Sequence, residues 1–300
     1  MERAALETRL SSEVQELGLE DFVLQLEVDG LCVVPPEKTG VKPEIIKAIR
    51  DQLLVEAEQI VGCGFQLDAG PDTPLTMSAD ENVIARFSGD SGEPTQFLVQ
   101  QLCARDRLFR DLAINPAGLA LIRHMIGNNA TRFSSHNAFI KWQGEFGYGR
   151  NLGLHCDQMA VPRPWGRNAL TANTNWCLTD YTQEDGAMAY VPGSHRRMEP
   201  PRFPEAVELA VPIEAPAGSL IVFHGATWHG AFPRMTPGMR LSIANYFRHY
   251  MILPQDDIKN LFPQELADDC SDPKMFRMLA GFVDEFPYTQ QTERIPRFVS

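Results

Sequence analysis

The chain has 300 residues, and its 27 Lys and Arg against 39 Asp and Glu give a formal net charge of −12. This balance argues against binding to nucleic acid or to an anionic membrane surface, because both favour basic patches. Hydrophobic residues make up 44% and charged residues 22% of the chain, which is ordinary for a globular protein and argues against disorder. No apolar run approaches the roughly 18 residues of a membrane span. With six scattered cysteines, the sequence predicts a soluble, cytoplasmic protein with reduced thiols.

The N-terminal region, to about residue 130, has the spacing of helices joined by loops. Pro43 opens a segment whose apolar residues recur at intervals of three and four, which predicts an amphipathic helix. Asn115 followed by Pro116 predicts a capped helix start, and Gly127 predicts its end. Between these helices, the stretch 62–95 is rich in Gly, Asp, Ser and Pro, which is typical of a long loop or lid.

From about residue 131 the pattern changes to short apolar or alternating runs separated by Gly and Pro, which predicts a sandwich or barrel. The predicted strands are 138–142, 174–178, 188–191, 220–223 and 241–246. After Pro254 the pattern is helical again, with Met275, Leu279 and Phe282 as a predicted buried stripe. We therefore expect one domain over 1–300 that is mainly β with flanking helices. Its parts are a helical region to about 130, a β core over about 131–250 and a helical tail over about 251–300.

Three residues have the chemistry and spacing of a metal site. His155 and Asp157 are two residues apart, so on an extended segment both side chains point the same way and reach one ion. His229 follows the predicted strand 220–223 far along the chain. Two imidazoles and one carboxylate on one face of an octahedral ion leave three positions open, as in non-haem Fe(II) oxygenases.

Arg240 adds a carboxylate-binding group eleven residues after His229, and Ser242 lies on the same face of the same predicted strand. A guanidinium binds a carboxylate through two parallel hydrogen bonds, and a hydroxyl adds a third. A metal with open positions beside such an Arg indicates a keto acid that chelates the metal. The pattern therefore predicts 2-oxoglutarate as the cosubstrate.

These residues belong to a series of motifs that resembles one known family, the phytanoyl-CoA dioxygenase family of Fe(II)/2-oxoglutarate oxygenases. The motifs are Leu154-His155-Cys156-Asp157, Asp185-Gly186, Val191-Pro192-Gly193-Ser194-His195, Trp228-His229-Gly230 and Arg240-Leu241-Ser242. The resemblance implies a double-stranded β-helix core, the jelly roll of cupin-like proteins. It also implies Fe(2+) on His155, Asp157 and His229, the distal carboxylate of 2-oxoglutarate on Arg240 and Ser242, and O2 as a further cosubstrate.

Two more residues are assigned to the cosubstrate by this resemblance. Lys141 precedes His155 by fourteen residues, where some members carry a lysine near the cosubstrate; the alternative is a surface lysine at a strand end. Asn175 stands where many members have a Trp, with Trp176 beside it. Strand alternation places Asn175 and Cys177 inside the barrel and Trp176 outside, and a slip of one residue would reverse this arrangement.

The predicted reaction is hydroxylation, desaturation or rearrangement of a small, largely apolar organic substrate of secondary metabolism, with release of succinate and CO2. Phe139, Met159 and Trp165 are assigned to the substrate pocket, while the acidic charge offers no obvious cradle for a CoA thioester. His195 and His224 are interpreted as structural. The alternatives are a cupin-like metalloenzyme that does not use 2-oxoglutarate and an inactive binding protein of the same fold. Besides the small-molecule substrate, a homodimer is expected on general grounds.

Overall fold

The structure is a computed structural model, and it describes residues 11–75, 95–144 and 151–283. The strands are β1 (Leu31–Val34), β2 (Phe65–Gln66), β3 (Gly70–Pro71), β4 (Gln96–Val99), β5 (Thr131–Gly144), β6 (Thr171–Cys177), β7 (Met188–Tyr190), β8 (Val211–Pro212), β9 (Leu220–His224), β10 (His229–Ala231) and β11 (Arg234–His249). The α-helices are α1 (Ser12–Glu16), α2 (Glu20–Asp29), α3 (Pro36–Thr39), α4 (Pro43–Val61), α5 (Arg107–Ala113), α6 (Pro116–Ile126), α7 (Glu205–Glu208), α8 (Ile258–Leu261) and α9 (Pro273–Leu279). Short 3-10 helices span Leu102–Ala104, Asp157–Ala160, Ser194–Arg197 and Gln264–Asp268.

Within the described residues, the strands of the β core form two facing sheets. The larger sheet is antiparallel with the order β1-β9-β6-β11-β5-β4, and the smaller one has the order β10-β7-β8. A separate antiparallel pair joins β2 and β3. The two facing sheets agree with the predicted jelly-roll core, and all the strands predicted from the sequence lie within observed strands or extend past them by one residue.

The two faces of the larger sheet have different neighbours, because successive strand residues point to opposite sides. Ile221 and Phe223 of β9 pack with Met188 of β7 and Ile213 in the space between the sheets. Trp176 of β6 lies on the other face, in the core that the larger sheet shares with the helices. The predicted register of β6 is therefore confirmed.

Helices α4 and α6 pack on the outer face of the larger sheet; both begin where the sequence predicted, and α6 also ends where it predicted. Helix α4 starts with Pro43 and ends at Gly62, whose φ of 71° is the left-handed conformation that glycine adopts without strain. Helix α6 is capped by Asn115, whose side chain accepts a hydrogen bond from the Gly118 N–H at 3.1 Å, and it ends at Gly127.

The C-terminal helix differs from its predicted stripe. Helix α9 buries Phe276 and Leu279, whereas Met275 is only partly buried. Phe282 lies beyond the end of the helix, so helical spacing does not apply to it. The Phe276 ring packs 5.3 Å from the Phe133 ring of β5, and this contact fixes which side of the helix faces the core.

The predicted loop 62–95 is partly ordered by the β2–β3 pair, and its remainder at 76–94 lies outside the described residues, as do 1–10, 145–150 and 284–300. Among the helices that are described, none has both the length and the apolar composition needed to cross a bilayer.

Candidate metal centre

The three predicted metal ligands lie together at one end of the space between the sheets. His155 and His229 form an isolated antiparallel bridge, in which each backbone N–H donates to the other residue's carbonyl, at 2.9 and 2.8 Å. Asp157 follows at the start of a 3-10 helix. One nitrogen of each imidazole and a carboxylate oxygen of Asp157 all lie within 4.8 Å of one another. Backbone pairing thus joins two ligands that are distant in sequence.

The hydrogen bonds of the two imidazoles determine which nitrogen faces the centre. His155 Nδ1 lies 2.8 Å from the Gly153 carbonyl, and His229 Nδ1 lies 3.0 Å from the Thr227 carbonyl. A carbonyl only accepts, so each Nδ1 carries the hydrogen and each Nε2 keeps its lone pair. The Nε2 atoms lie 3.5 and 3.7 Å from the two carboxylate oxygens of Asp157. This set of two nitrogens and one carboxylate suits ferrous iron with open positions.

Asn173 orients the carboxylate. Its Nδ2 donates to Asp157 Oδ2 at 2.5 Å, from the inner face of β6. A hydrogen bond from a neighbouring side chain restricts how a ligating carboxylate rotates. Sequence analysis did not identify this contact as a ligand support, because nothing in strand spacing links β6 to the 3-10 helix that carries Asp157.

The three side chains perturb one another's pKa values. Burial opposes charge on all of them. For His229 burial prevails, and its pKa falls to about 4. For His155 the hydrogen bond and negative charge of Asp157 outweigh burial, and its pKa rises. Burial is likewise outweighed for Asp157, whose pKa is lowered mainly by the two imidazoles. At neutral pH His229 and Asp157 are therefore unprotonated, as metal ligands must be.

Arg240 and Ser242 occupy the same interior, farther along β11. Arg240 is buried, donates from one terminal nitrogen to the Gly186 carbonyl at 3.0 Å, and has no carboxylate within ion-pair distance in the described part of the chain. Its Nε and the Ser242 hydroxyl are buried without a hydrogen-bond partner among the described residues. Buried polar atoms of this kind are costly unless a partner is supplied. They fit a bound carboxylate.

Tyr181 joins this pair, although sequence analysis missed it. The Arg240 guanidinium carbon lies 5.0 Å from the centre of the Tyr181 ring. Burial raises the pKa of the Tyr181 phenol to about 12, with Arg240 offsetting part of the rise, so the hydroxyl stays a donor at neutral pH. Tyr181 lies in an irregular segment after β6 that pairs with Ala215, so strand alternation could not assign its direction.

Lys141 is fully buried, contrary to the alternative of a surface lysine. It pairs in register with Arg240, and its Nζ donates to the Phe232 carbonyl. Burial, followed by the charges of Arg240 and Arg234, holds the pKa of Lys141 well below its usual range. Three basic side chains therefore lie near one another inside a strongly acidic protein, and an anion beside them would favour their charged forms.

The remaining predicted site residues lie in different surroundings. Asn175 faces the interior with its Oδ1 buried and unpartnered among the described residues, and Phe139 lies on the inner face of β5 in register with Ser242. Met159 is 56% exposed, in the 3-10 helix after Asp157. Trp165 is only 5% exposed, packs in a separate buried cluster and donates to the Val161 carbonyl at 2.8 Å. This placement gives Trp165 a role in stabilising its loop and lends no support to substrate contact.

Comparisons of sequence match the chain to one family and to relatives that are named dioxygenases. The sequence model of the phytanoyl-CoA dioxygenase (PhyH) family matches residues 26–242. Dioxygenase af480 of Aspergillus fumigatus is 30% identical over 210 residues, which cover 68% of this chain and 66% of that protein. Dioxygenase aneA of Aspergillus aculeatus is 27% identical over 191 residues, covering 59% and 63%. The chain thus spans just under two thirds of the length of each relative.

Comparisons of structure agree on the fold. The epimerase SnoN of nogalamycin biosynthesis, solved with Fe3+, α-ketoglutarate and nogalamycin RO, superposes with a TM-score of 0.55 at 20% identity, covering 77% of this chain and 84% of SnoN. HygX of Streptomyces hygroscopicus, solved with nickel, 2-oxoglutarate and hygromycin B, gives 0.54 at 16% identity, covering 78% and 88%. With the family model matching most of its length, this chain belongs to the phytanoyl-CoA dioxygenase family.

Proposed function

We propose that this protein is an Fe(II)- and 2-oxoglutarate-dependent oxygenase that hydroxylates, desaturates or rearranges a small organic molecule. The observation that carries the proposal is the convergence of His155, Asp157 and His229 within 4.8 Å in the same interior as Arg240. Arg240 with its buried, unsatisfied Nε favours this function over a cupin-like enzyme without a keto acid and over an inactive binding protein.

Different residues would bind the metal and the cosubstrate. The Nε2 atoms of His155 and His229 and the free oxygen of Asp157 would hold iron and leave open positions, with Asn173 restraining the carboxylate. Arg240, Ser242 and Tyr181 would bind the distal carboxylate of 2-oxoglutarate. When bound, ferrous iron and 2-oxoglutarate supply the oxidising chemistry, with release of succinate and CO2.

The substrate is proposed to be a small molecule of secondary metabolism. Two proteins of the same fold support this class: SnoN comes from nogalamycin biosynthesis, and HygX was solved with hygromycin B bound. The inner wall formed by Phe139, Phe223 and Met188 is apolar and suits a largely apolar body, while the acidic chain offers no basic cradle for CoA phosphates.

An anaerobic binding experiment tests this function without a known substrate. Fe(II) is titrated into the apoprotein and 2-oxoglutarate is then added, while the visible charge-transfer band of the chelate is recorded. We expect one iron and one 2-oxoglutarate per chain. Asp157→Ala should lose the metal, whereas Arg240→Gln should keep the metal and weaken 2-oxoglutarate binding by about tenfold or more, the loss expected for one charge-assisted pair.

The control is Arg202→Gln, which removes an exposed guanidinium that pairs with Glu199 outside the barrel. It should bind both ligands as the unchanged protein does. Metal binding without any 2-oxoglutarate binding would support the cupin-like alternative, and full 2-oxoglutarate affinity in Arg240→Gln would refute the role of Arg240. A screen of metabolites for 2-oxoglutarate consumption would then identify the substrate.

A further inference from the structure

A second cavity lies on the opposite side of the larger sheet from the metal centre. Its volume is about 470 Å³, and it is bounded by the ends of α2 and α6, the loop before β6 and the 3-10 helix that contains His195. Phe223 and His224 are consecutive residues of β9 and point to opposite faces. Phe223 packs 4.7 Å from the His229 ring, whereas His224 lines the cavity, 5.5 Å from the His195 ring.

His224 presents a buried hydrogen-bond donor to this cavity. Its Nδ1 accepts from the Ala226 N–H at 3.0 Å, so in the neutral imidazole the hydrogen is on Nε2. His224 is 7% exposed, and Nε2 has no hydrogen-bond partner among the described residues. Burial lowers the pKa of His224 to about 4, with the Arg167 backbone offsetting part of the fall, so the imidazole is neutral at neutral pH. The Arg167 backbone makes no hydrogen bond to Nε2. The Nε2–H group therefore lacks a hydrogen-bond acceptor. A metal ion would need a lone pair on Nε2, so it does not fit this position.

Positive charge favours an anionic acceptor. Arg167 lines the cavity with an exposed side chain, and none of the described residues pairs with its guanidinium. Arg196 also lines it and donates to the Glu27 carbonyl. Glu27 is the one carboxylate among the described lining residues, and its side chain lies 3.7 Å from His124 Nε2. The described cavity lining thus has two guanidiniums and one carboxylate, whereas acidic residues outnumber basic ones over the whole chain.

Apolar side chains complete the cavity. Leu26, Met125 and Met198 form its walls, and its volume lies within the range of roughly 300–1,000 Å³ that is usual for small-molecule sites. We propose that this cavity binds a small organic carboxylate, whose acid group lies between the Arg167 guanidinium and His224 Nε2–H and whose apolar body packs against these walls. The site is separate from the proposed 2-oxoglutarate site and does not depend on the metal.

The test uses phenylacetate as the probe and phenylacetamide as its neutral counterpart. Binding is measured calorimetrically on the full chain under argon, with saturating Fe(II) and 2-oxoglutarate so that the interior carboxylate site is filled. Phenylacetate should bind, and phenylacetamide should bind about tenfold more weakly or not at all, because it lacks the charge-assisted contacts. The His224 Nε2–H signal in a long-range ¹H–¹⁵N spectrum should shift as phenylacetate is added.

Exposed residues on one loop supply the matched variants. Arg167→Gln should weaken phenylacetate binding about tenfold, while Arg163→Gln, four residues away and outside the cavity lining, should not change it. Because Arg167 is exposed, this variant should fold normally. No phenylacetate binding to the 2-oxoglutarate-saturated protein, equal affinity for the amide, or the same loss in both variants would overturn the proposal. Failure of 2-oxoglutarate to bind would instead count against the proposed function.

Discussion

The hydrogen bond from Asn173 to Asp157 gives a quantitative test of how the metal centre is organised. Asn173→Ala removes a donor that lies 2.5 Å from a carboxylate oxygen whose side chain is 19% exposed. A hydrogen bond to a charged group contributes about 1.5–3 kcal/mol. Loss of a group that orients a ligand typically costs about 10–100-fold in metal affinity, or roughly 1.4–2.7 kcal/mol, so the two estimates agree.

Water entering the space left by the amide would recover part of this energy, which favours the lower end of the range. We therefore expect the Kd for Mn(II) to rise about tenfold in Asn173→Ala. Free Mn(II) is measured by electron paramagnetic resonance during a titration, and circular dichroism checks that the variant is folded.

The matched control is Asn175→Ala, two residues along the same face of β6. Its amide nitrogen contacts Met188 Sδ at 3.9 Å rather than Asp157. Its Mn(II) affinity should stay within about twofold of the unchanged protein. An unchanged Kd in Asn173→Ala, or an equal rise in both variants, would refute the reasoning that the Asn173 amide fixes the carboxylate for metal binding.

Three further predictions follow from the pKa values and the packing. The pKa of His155 is raised above its ordinary value of about 6.5, so protons should compete with the metal for this imidazole. Mn(II) affinity should therefore fall by about one log unit per pH unit below the raised pKa. An Mn(II) affinity that does not change down to pH 5 would contradict this prediction. Gly230→Ala would place its Cβ 2.2 Å from the Leu152 carbonyl, so it should lower both the Tm and Mn(II) affinity, whereas Gly166→Ala, with open space around it, should change neither. Burial lowers the pKa of His136 to about 3, below its value in the unfolded chain, so unfolding takes up a proton between about pH 6.5 and 3 and the free energy of unfolding falls as the pH falls. His136→Gln should reduce the slope of the free energy of unfolding against pH by up to about 1.4 kcal/mol per pH unit, as measured by urea titrations. An unchanged slope would show that His136 does not contribute.

Strand alternation accounts for most of what the sequence predicted correctly. On β6 it assigned Asn175 to the interior and Trp176 to the outer core, and a one-residue slip would have exchanged them. The same reasoning applied to His155 and Asp157, which are brought to one centre with His229. Local periodicity therefore sufficed wherever a residue lies on a strand or its extension.

Residues outside regular elements were not predictable in this way. Tyr181 reaches the Arg240 guanidinium from an irregular segment, and its direction depends on a bridge to Ala215. The contact between Asn173 and Asp157 depends on how the 3-10 helix folds back against β6. The cavity that contains His224 is lined by segments from five parts of the chain, so no single stretch of sequence carries its signature.

The backbone bridge between His155 and His229 has a consequence for handling the protein. Because peptide groups rather than an ion hold these two residues together, chelation should remove the metal and leave a folded apoprotein. Such a scaffold permits reconstitution with different divalent ions after purification. Which metal the isolated protein carries would then reflect the supply in the growth medium as well as the preference of the site.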